Sequence, residues 1–216
     1  MNATGVAVRS AHSSLVALLL TAVMVLGGTH GATAEPTGDV IIAWHVTLAP
    51  AWLDPSTAPP QITPFAVLYA LHDALVRPLP GQRVGSSLAE SWKESADGLT
   101  YEFKIRKGGK FHNGDAVTAE DVKFSFERYK GAGAKELQSR VKGVEVVDPT
   151  VVRFHLKAPW PDFMTFYGTS ATAAGLVVPK KYVMQVGDEG FRKHPIGAGP
   201  FRFVSNNPGV ELILEA

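Results

Sequence analysis

An α/β fold is predicted by three observations: an apolar β-branched run near the start, strand patterns with period two, and helix patterns with capping signals between them. The run is "DVIIAWHV" (Asp39–Val46), which reads as a buried strand. The alternation is clearest in "LTYEFKIRK", where Tyr101, Phe103 and Ile105 point one way and Glu102, Lys104 and Arg106 the other. That is the mark of a half-buried antiparallel strand. The helix signal is "TAED", with Thr118 as N-cap and Asp121 three residues on. Val122, Phe126 and Tyr129 follow on one stripe, and Gly131 is a stop. Phe124 lies off that stripe, so this helix is expected to be covered on more than one side.

The remaining elements follow in order. "TLAPAWLDPSTAPPQITP" carries five prolines in 18 residues, too many for a helix or an inner strand, and reads as a loop holding Trp52 and Leu53. From Pro64, with Thr63 as cap, "PFAVLYALHDALV" has helical spacing, with Phe65, Leu68, Leu71, His72 and Leu75 on one stripe. "RPLPG" is expected to end it. "VEVVDPTVVRFHLK" is a hairpin signal turning at Asp148 and Pro149. "WPDFMTFYGTSATAAGLVVP" predicts a short apolar helix, a loop of small and hydroxyl residues, and a buried strand ending at Pro179. "HPIGAGPFRFVSNNPGVELILEA" predicts a glycine-rich turn and two strands, Phe201–Val204 and Val210–Glu215. The pattern stops in mid-strand at Ala216, so the sequence is expected to be a fragment of a longer product.

Composition removes several function classes. Lys and Arg number 21 against 20 Asp and Glu, and the basic residues are scattered. A nucleic-acid binder would gather a basic excess into patches, so no nucleic-acid partner is expected. Arg9 is the only formally charged residue before Glu35, and "LVALLLTAVMVLGG" (Leu15–Gly28) is followed by "ATA" at Ala32–Ala34. These are the parts of a secretory signal, too short in its apolar run to span a bilayer. Residues 1–34 are therefore expected to be a signal peptide cleaved near Ala34, leaving 182 residues in a periplasmic or secreted protein. The chain has no cysteine, so stability must come from core burial rather than disulfides.

No residue set supports catalysis. His45, His72, His112, His155 and His194 form no H-x-x-x-H pair, so no metal site is expected. There is no G-x-S-x-G. Asp115, Glu120 and Asp121 sit at a turn and at a helix start, where the helix dipole explains them. "GAG" at Gly197–Gly199 lacks the third glycine and the following helix of a dinucleotide fold, so no cofactor is expected. Two surfaces could bind a polar, extended ligand: the proline-rich loop with Trp52 and Leu53, and the stretch Tyr167–Gly175 with Tyr167, Thr169, Ser170 and Thr172. Both readings of these residues stand: an aromatic wall beside accessible backbone, or core packing with small neighbours.

"LAESWKESADGLTYEFKIRKGGKFHNGDAVTAEDVKFSFER" (Leu88–Arg128) resembles the signature region of the family 5 extracellular solute-binding proteins. "WLDPSTA", "HDALVRP", "LKAPWPDFM" and "PIGAGPFRFVSNNPGVELILEA" are similar to further landmarks of that family, in the expected order. The resemblance implies a type II, bilobed periplasmic binding protein fold, incomplete here because the second lobe is absent. Residues 39–71 and 160–216 would form a ligand-facing α/β subdomain on a mixed sheet, and 72–159 an accessory α+β subdomain. In that division the Leu88–Arg128 motif is scaffold that does not touch solute. The implied function is the non-enzymatic capture of oligopeptides by a monomer that delivers them to an ABC permease. A nickel chelate, a sugar or an opine-like compound is the alternative solute, and an inert truncation the alternative state. Neither candidate loop carries Arg or His, which favours peptide over nickel chelate. A secreted hydrolase would need a convergent nucleophile and base. A regulator using this domain as a sensor would need a DNA-binding segment upstream.

Overall fold

In a computed structural model, residues 38–60 and 62–216 of the chain are described. The expected signal peptide lies outside them. The chain divides into two units, Met1–Ala43 and Trp44–Ala216. The expected strand at Asp39–Val46 is not formed: these residues have no regular structure, and Val40, Ile41 and Ile42 are exposed. A β-branched run becomes a strand only when a neighbour takes its backbone hydrogen bonds, and no described strand pairs with it.

The second unit begins with a 3₁₀ turn, Pro50–Leu53, followed by helix α1 (Ile62–Leu71). The helix starts before Pro64 and stops five residues short of the predicted Val76. Beyond it run strands β1 (Asp73–Ala74), β2 (Val76–Leu79) and β3 (Gln82–Ser86), where the periodicity had predicted more helix and its end. Tertiary pairing overrides the pattern here. The free carbonyls of Ala70 and Leu71 at the helix end accept the N–H groups of Phe201 and Gly199. Leu75 is buried in the main core although it is not helical.

Strands β4 (Ala89–Glu94), β5 (Thr100–Ile105), β6 (Val141–Asp148) and β7 (Val151–Leu156) make one antiparallel sheet in the order β4-β5-β7-β6. The hairpin turning at Asp148 and Pro149 is as predicted, and Tyr101, Phe103 and Ile105 are buried as the alternation requires. Helix α2 (Ala119–Arg128) packs on this face through Val122 and Phe126. Helix α3 (Ala134–Arg140) follows it, and helix α4 (Phe163–Gly168) brings Phe163 and Tyr167 into the same core. Phe154 stands at the centre, 4.9 Å from Tyr167, 5.2 Å from Phe126 and 5.6 Å from Phe103 between ring centroids. Such pairs stabilise by about 0.5–1.5 kcal/mol each beyond their buried area. The opposite face carries Lys93, Glu102, Arg153 and Glu145 as a cross-strand ladder of ion pairs, with His155 Nε2 within hydrogen-bond distance of Glu145 at 2.8 Å. These are surface pairs of small individual worth.

The capping box of α2 is formed: the Asp121 carboxylate accepts from the Thr118 N–H at 2.9 Å and from its hydroxyl at 2.7 Å. The other Asp121 oxygen accepts the N–H of Lys180, the first residue of helix α5 (Lys180–Lys193). Strand β8 (Leu176–Val177) pairs antiparallel with β1 just before this point. Phe124 packs against the cluster of Val178, Val183 and Phe191, so α2 is covered on two sides as predicted. Helices α3 and α5 were not predicted. Gly187, at φ 72°, breaks α5 in the middle, which masks its periodicity. Strands β9 (Arg202–Asn207) and β10 (Glu211–Glu215) form the closing hairpin. Its inner residues Phe203, Leu212 and Leu214 pack on Leu53, Val67 and Leu71.

His112 clamps the Gly197–Gly199 turn, and His72 lies beneath it. His112 Nε2 is 2.9 Å from the Gly199 carbonyl, and the Gly197 N–H donates to His112 Nδ1 at 3.3 Å. His72 is fully buried, with Nε2 3.0 Å from the Leu53 carbonyl. A carbonyl can only accept, so Nε2 carries the proton and Nδ1 is left as a buried acceptor without a partner. Burial holds the His72 pKa down at about 4 from 6.5, against the opposing hydrogen bond to Leu53. Neutral His72 therefore contributes stability that is fully present above pH 6.5 and is lost as pH falls to about 4. The expected loss over that window is on the order of 3 kcal/mol. Urea unfolding from pH 7 to pH 4 should show a steeper decline for the native chain than for His72→Gln; equal slopes would refute the assignment.

Candidate functional site

The first candidate loop is set by its own turns and then fastened from outside. The Trp52 N–H donates to the Ala49 carbonyl at 2.9 Å, closing the 3₁₀ turn. Asp54 closes the next turn: its carbonyl accepts from Thr57 and Ala58, and its carboxylate accepts the Ser56 N–H at 3.0 Å. The Asp54 carboxylate is fully buried and is met by Arg128 through two bonds, Nη1 at 2.7 Å and Nη2 at 2.6 Å. Burial alone would push the Asp54 carboxyl up. The hydrogen bonds and charge of Arg128, with help from Ser56, outweigh it and hold the group below the usual carboxylate range. Arg128 also donates to Asp188 of α5, at 2.8 Å from Nη2. Arg192 stands 3.6 Å from the same Asp54. A fork-to-fork pair of this kind fixes orientation as well as distance.

The second loop joins α4 to β8. The Thr172 hydroxyl donates to the Phe166 carbonyl at 2.9 Å and accepts the Ala174 N–H at 3.3 Å. Ala171 donates its N–H to the Thr169 hydroxyl at 3.2 Å. Ala173 takes a left-handed backbone, φ 56°, which turns the chain into β8. Gly175 approaches the Tyr167 carbonyl so closely that a Cβ would stand 2.7 Å from its oxygen. From outside the loop, the Tyr129 hydroxyl donates to the Thr172 carbonyl at 2.5 Å.

The structure brings the two loops together, since Ala58 of the first and Ala173 of the second lie in one apolar cluster with Leu68, Ala74 and Leu176. It does not present all six candidate residues. Leu53 is in the core against Val67 and Leu71, and Tyr167 is in the aromatic core. Both are corrected from ligand-contacting to core residues, because their side chains fill space between elements. Trp52, Thr169 and Thr172 are partly exposed, and Ser170 is exposed. The recess between the loops, lined by Pro55, Ser56, Ser125, Arg128, Tyr129 and Ala173 among others, encloses only about 10 Å³. That is below the ~300–1,000 Å³ usual for a small-molecule pocket, so it is a joint between loops rather than a chamber. The residues that fasten the loops, Asp54, His72, Arg128 and Tyr129, were not singled out from sequence as site residues. Only the acid in the "LDP" run gave a signal, because its partner Arg128 lies 74 residues away.

Among the described residues, no group of three or more His, Cys, Asp or Glu could hold a metal ion, and no helix is long and apolar enough to cross a membrane. The mixed α/β body that carries the two loops superimposes on part of the periplasmic binding protein fold. The protein MoaA from A. tumefaciens R10, solved in complex with mannopinic acid, superimposes with a TM-score of 0.67 at 32% identity, over 76% of this chain and 34% of that one. NikZ from Campylobacter jejuni, solved with Ni(L-His), gives 0.61 at 28% identity, over 72% and 31%.

The chain belongs to the bacterial extracellular solute-binding proteins, family 5, whose middle-region model matches residues 83–216. Among curated relatives it is 35% identical over 182 residues to Di/tripeptide-binding protein 2 of Pseudomonas aeruginosa, over 72% of this chain and 34% of that protein. The chain thus spans about a third of the length of the relatives it matches.

Proposed function

We propose that this chain is part of the periplasmic solute-capturing component of an ABC importer, and that its solute is a short peptide. The 35% identity to a di/tripeptide-binding protein carries this reading. Trp52, Thr169, Ser170 and Thr172 form the exposed part of one ligand wall. Leu53 and Tyr167 support it from the core. Capture works by closure of two lobes and involves no bond-making, so the protein is a receptor and not an enzyme. Within this lobe, residues 39–71 and 160–216 form the ligand-facing subdomain and 72–159 the accessory one. The four-stranded sheet supports that division, since all its strands fall between Ala89 and Leu156. Residues 1–34 direct export, and the captured solute is passed to a membrane permease.

An opine-like acid is the second reading, favoured by the 32% identity to a protein solved with mannopinic acid. Both are tested by the melting temperature of the whole protein, this chain with any further residues its reading frame encodes. The probes are di-, tri- and pentapeptides, mannopinic acid and Ni(L-His). A ligand at a hundredfold its Kd stabilises by about 2.7 kcal/mol. The expected result is a rise with di- or tripeptides alone. A rise only with mannopinic acid or Ni(L-His) would transfer the solute to that class, and no rise with any probe would refute the receptor reading.

A further inference from the structure

We propose that Arg128 and Tyr129, consecutive at the C-terminal end of α2, are positioning residues that set the two candidate ligand-facing loops relative to one another; this rests on the reading of those loops as one ligand wall.

The two side chains leave the helix end toward different loops. Arg128 grips the Asp54 carboxylate with both terminal nitrogens, one residue after Leu53. Tyr129 donates its hydroxyl to the Thr172 carbonyl and accepts the Gly133 N–H at 3.0 Å, so its oxygen is held from two sides. The next residue adds a third tether, the Lys130 N–H donating to the Ser56 carbonyl at 2.8 Å. Three successive residues thus hold both loops. Neither loop contains a strand ladder of its own. Their internal hydrogen bonds close small turns but do not fix where those turns stand. A planar guanidinium bonded twice fixes its partner's direction as well as its distance, which a single flexible ammonium would not. Arg128 is itself anchored by Asp188 and lies over the Phe191 ring, 5.5 Å from its centroid. The reference point is therefore rigid. The Leu88–Arg128 motif, expected to be scaffold remote from solute, ends on the device that sets the wall.

The test is amide hydrogen exchange on the full chain, which reads local opening segment by segment. Asp54→Asn/Arg128→Met removes the first tether without leaving a lone buried charge, and Tyr129→Phe removes the second tether's donor. The double variant should speed exchange at least tenfold in residues 52–58, and Tyr129→Phe should do so in 169–174. Residues 101–105 and 152–156 of the sheet should be unchanged in both. No change in either loop, or an equal rise across loops and sheet, would overturn the proposal. The ligand-wall reading is separated by adding Ala-Ala and Ala-Ala-Ala to the native whole protein. Slower exchange in both segments supports it. Loosened loops in the variants with no peptide protection in the native protein would leave the tethers established and remove the wall reading.

Discussion

Arg128→Met is expected to lower stability by about 3–5 kcal/mol, a large fraction of what holds a domain folded. The cause is not the loss of an attractive pair as such. Asp54 is fully buried, and without Arg128 its carboxylate keeps the Ser56 N–H and the half-exposed Arg192 at 3.6 Å, which makes no hydrogen bond to it. An ionised group in that position must either stay desolvated or take up a proton, and both are costly. Removing the charge on both sides, as in Asp54→Asn/Arg128→Met, should recover much of the loss, because replacing both members of a buried pair is far milder than breaking it. Urea unfolding of the three proteins measures this directly. A single variant within 1 kcal/mol of the native chain, or a double variant worse than the single, would contradict the account.

Gly197→Ala should cost about 3 kcal/mol or more, at the upper end of what overpacking does. A methyl group there would stand 1.9 Å from the Leu71 carbonyl oxygen and 2.6 Å from His72 Nδ1. The first of these neighbours is backbone at a helix end, already accepting the Gly199 N–H, so it cannot rotate away. Relief requires the turn to lift off α1. That also breaks the His112 contacts on either side of it. The unfolding midpoint in urea should fall with an unchanged slope. An unchanged midpoint would show that the turn is less tightly seated than its distances state.

Local physics made much of the fold legible. The Thr118–Asp121 box, the alternation of Tyr101, Phe103 and Ile105, and the turn at Asp148 and Pro149 are each decided within a few residues, and each formed as expected. The failures share a cause. Asp39–Val46 has strand chemistry but no paired neighbour among the described strands, and Asp73–Val76 has helix spacing but is drawn into pairing, Asp73 and Ala74 with the distant β8 and Val76 with the adjacent β3. Helix α5 escaped because Gly187 interrupts its stripe. At the candidate site, composition pointed to two loops but not to which of their side chains face outward. Leu53 and Tyr167 look as suitable for a ligand as Trp52 does until packing places them inside. The tethers were the least legible part, since nothing near Asp54 in sequence announces Arg128.

The same tethers constrain the order in which the chain can assemble. The Asp54–Arg128 grip closes 74 residues, the Tyr129–Thr172 bond 43, and the His112–Gly199 bond 87. The β6–β7 hairpin and the α2 start close within a few residues of themselves. Distant closures carry the larger entropy cost and come later. The β6–β7 hairpin and helix α2 are thus able to form early, whereas the Asp54–Arg128 and His112–Gly199 contacts, like the β5–β7 pairing, wait for distant parts of the chain to meet.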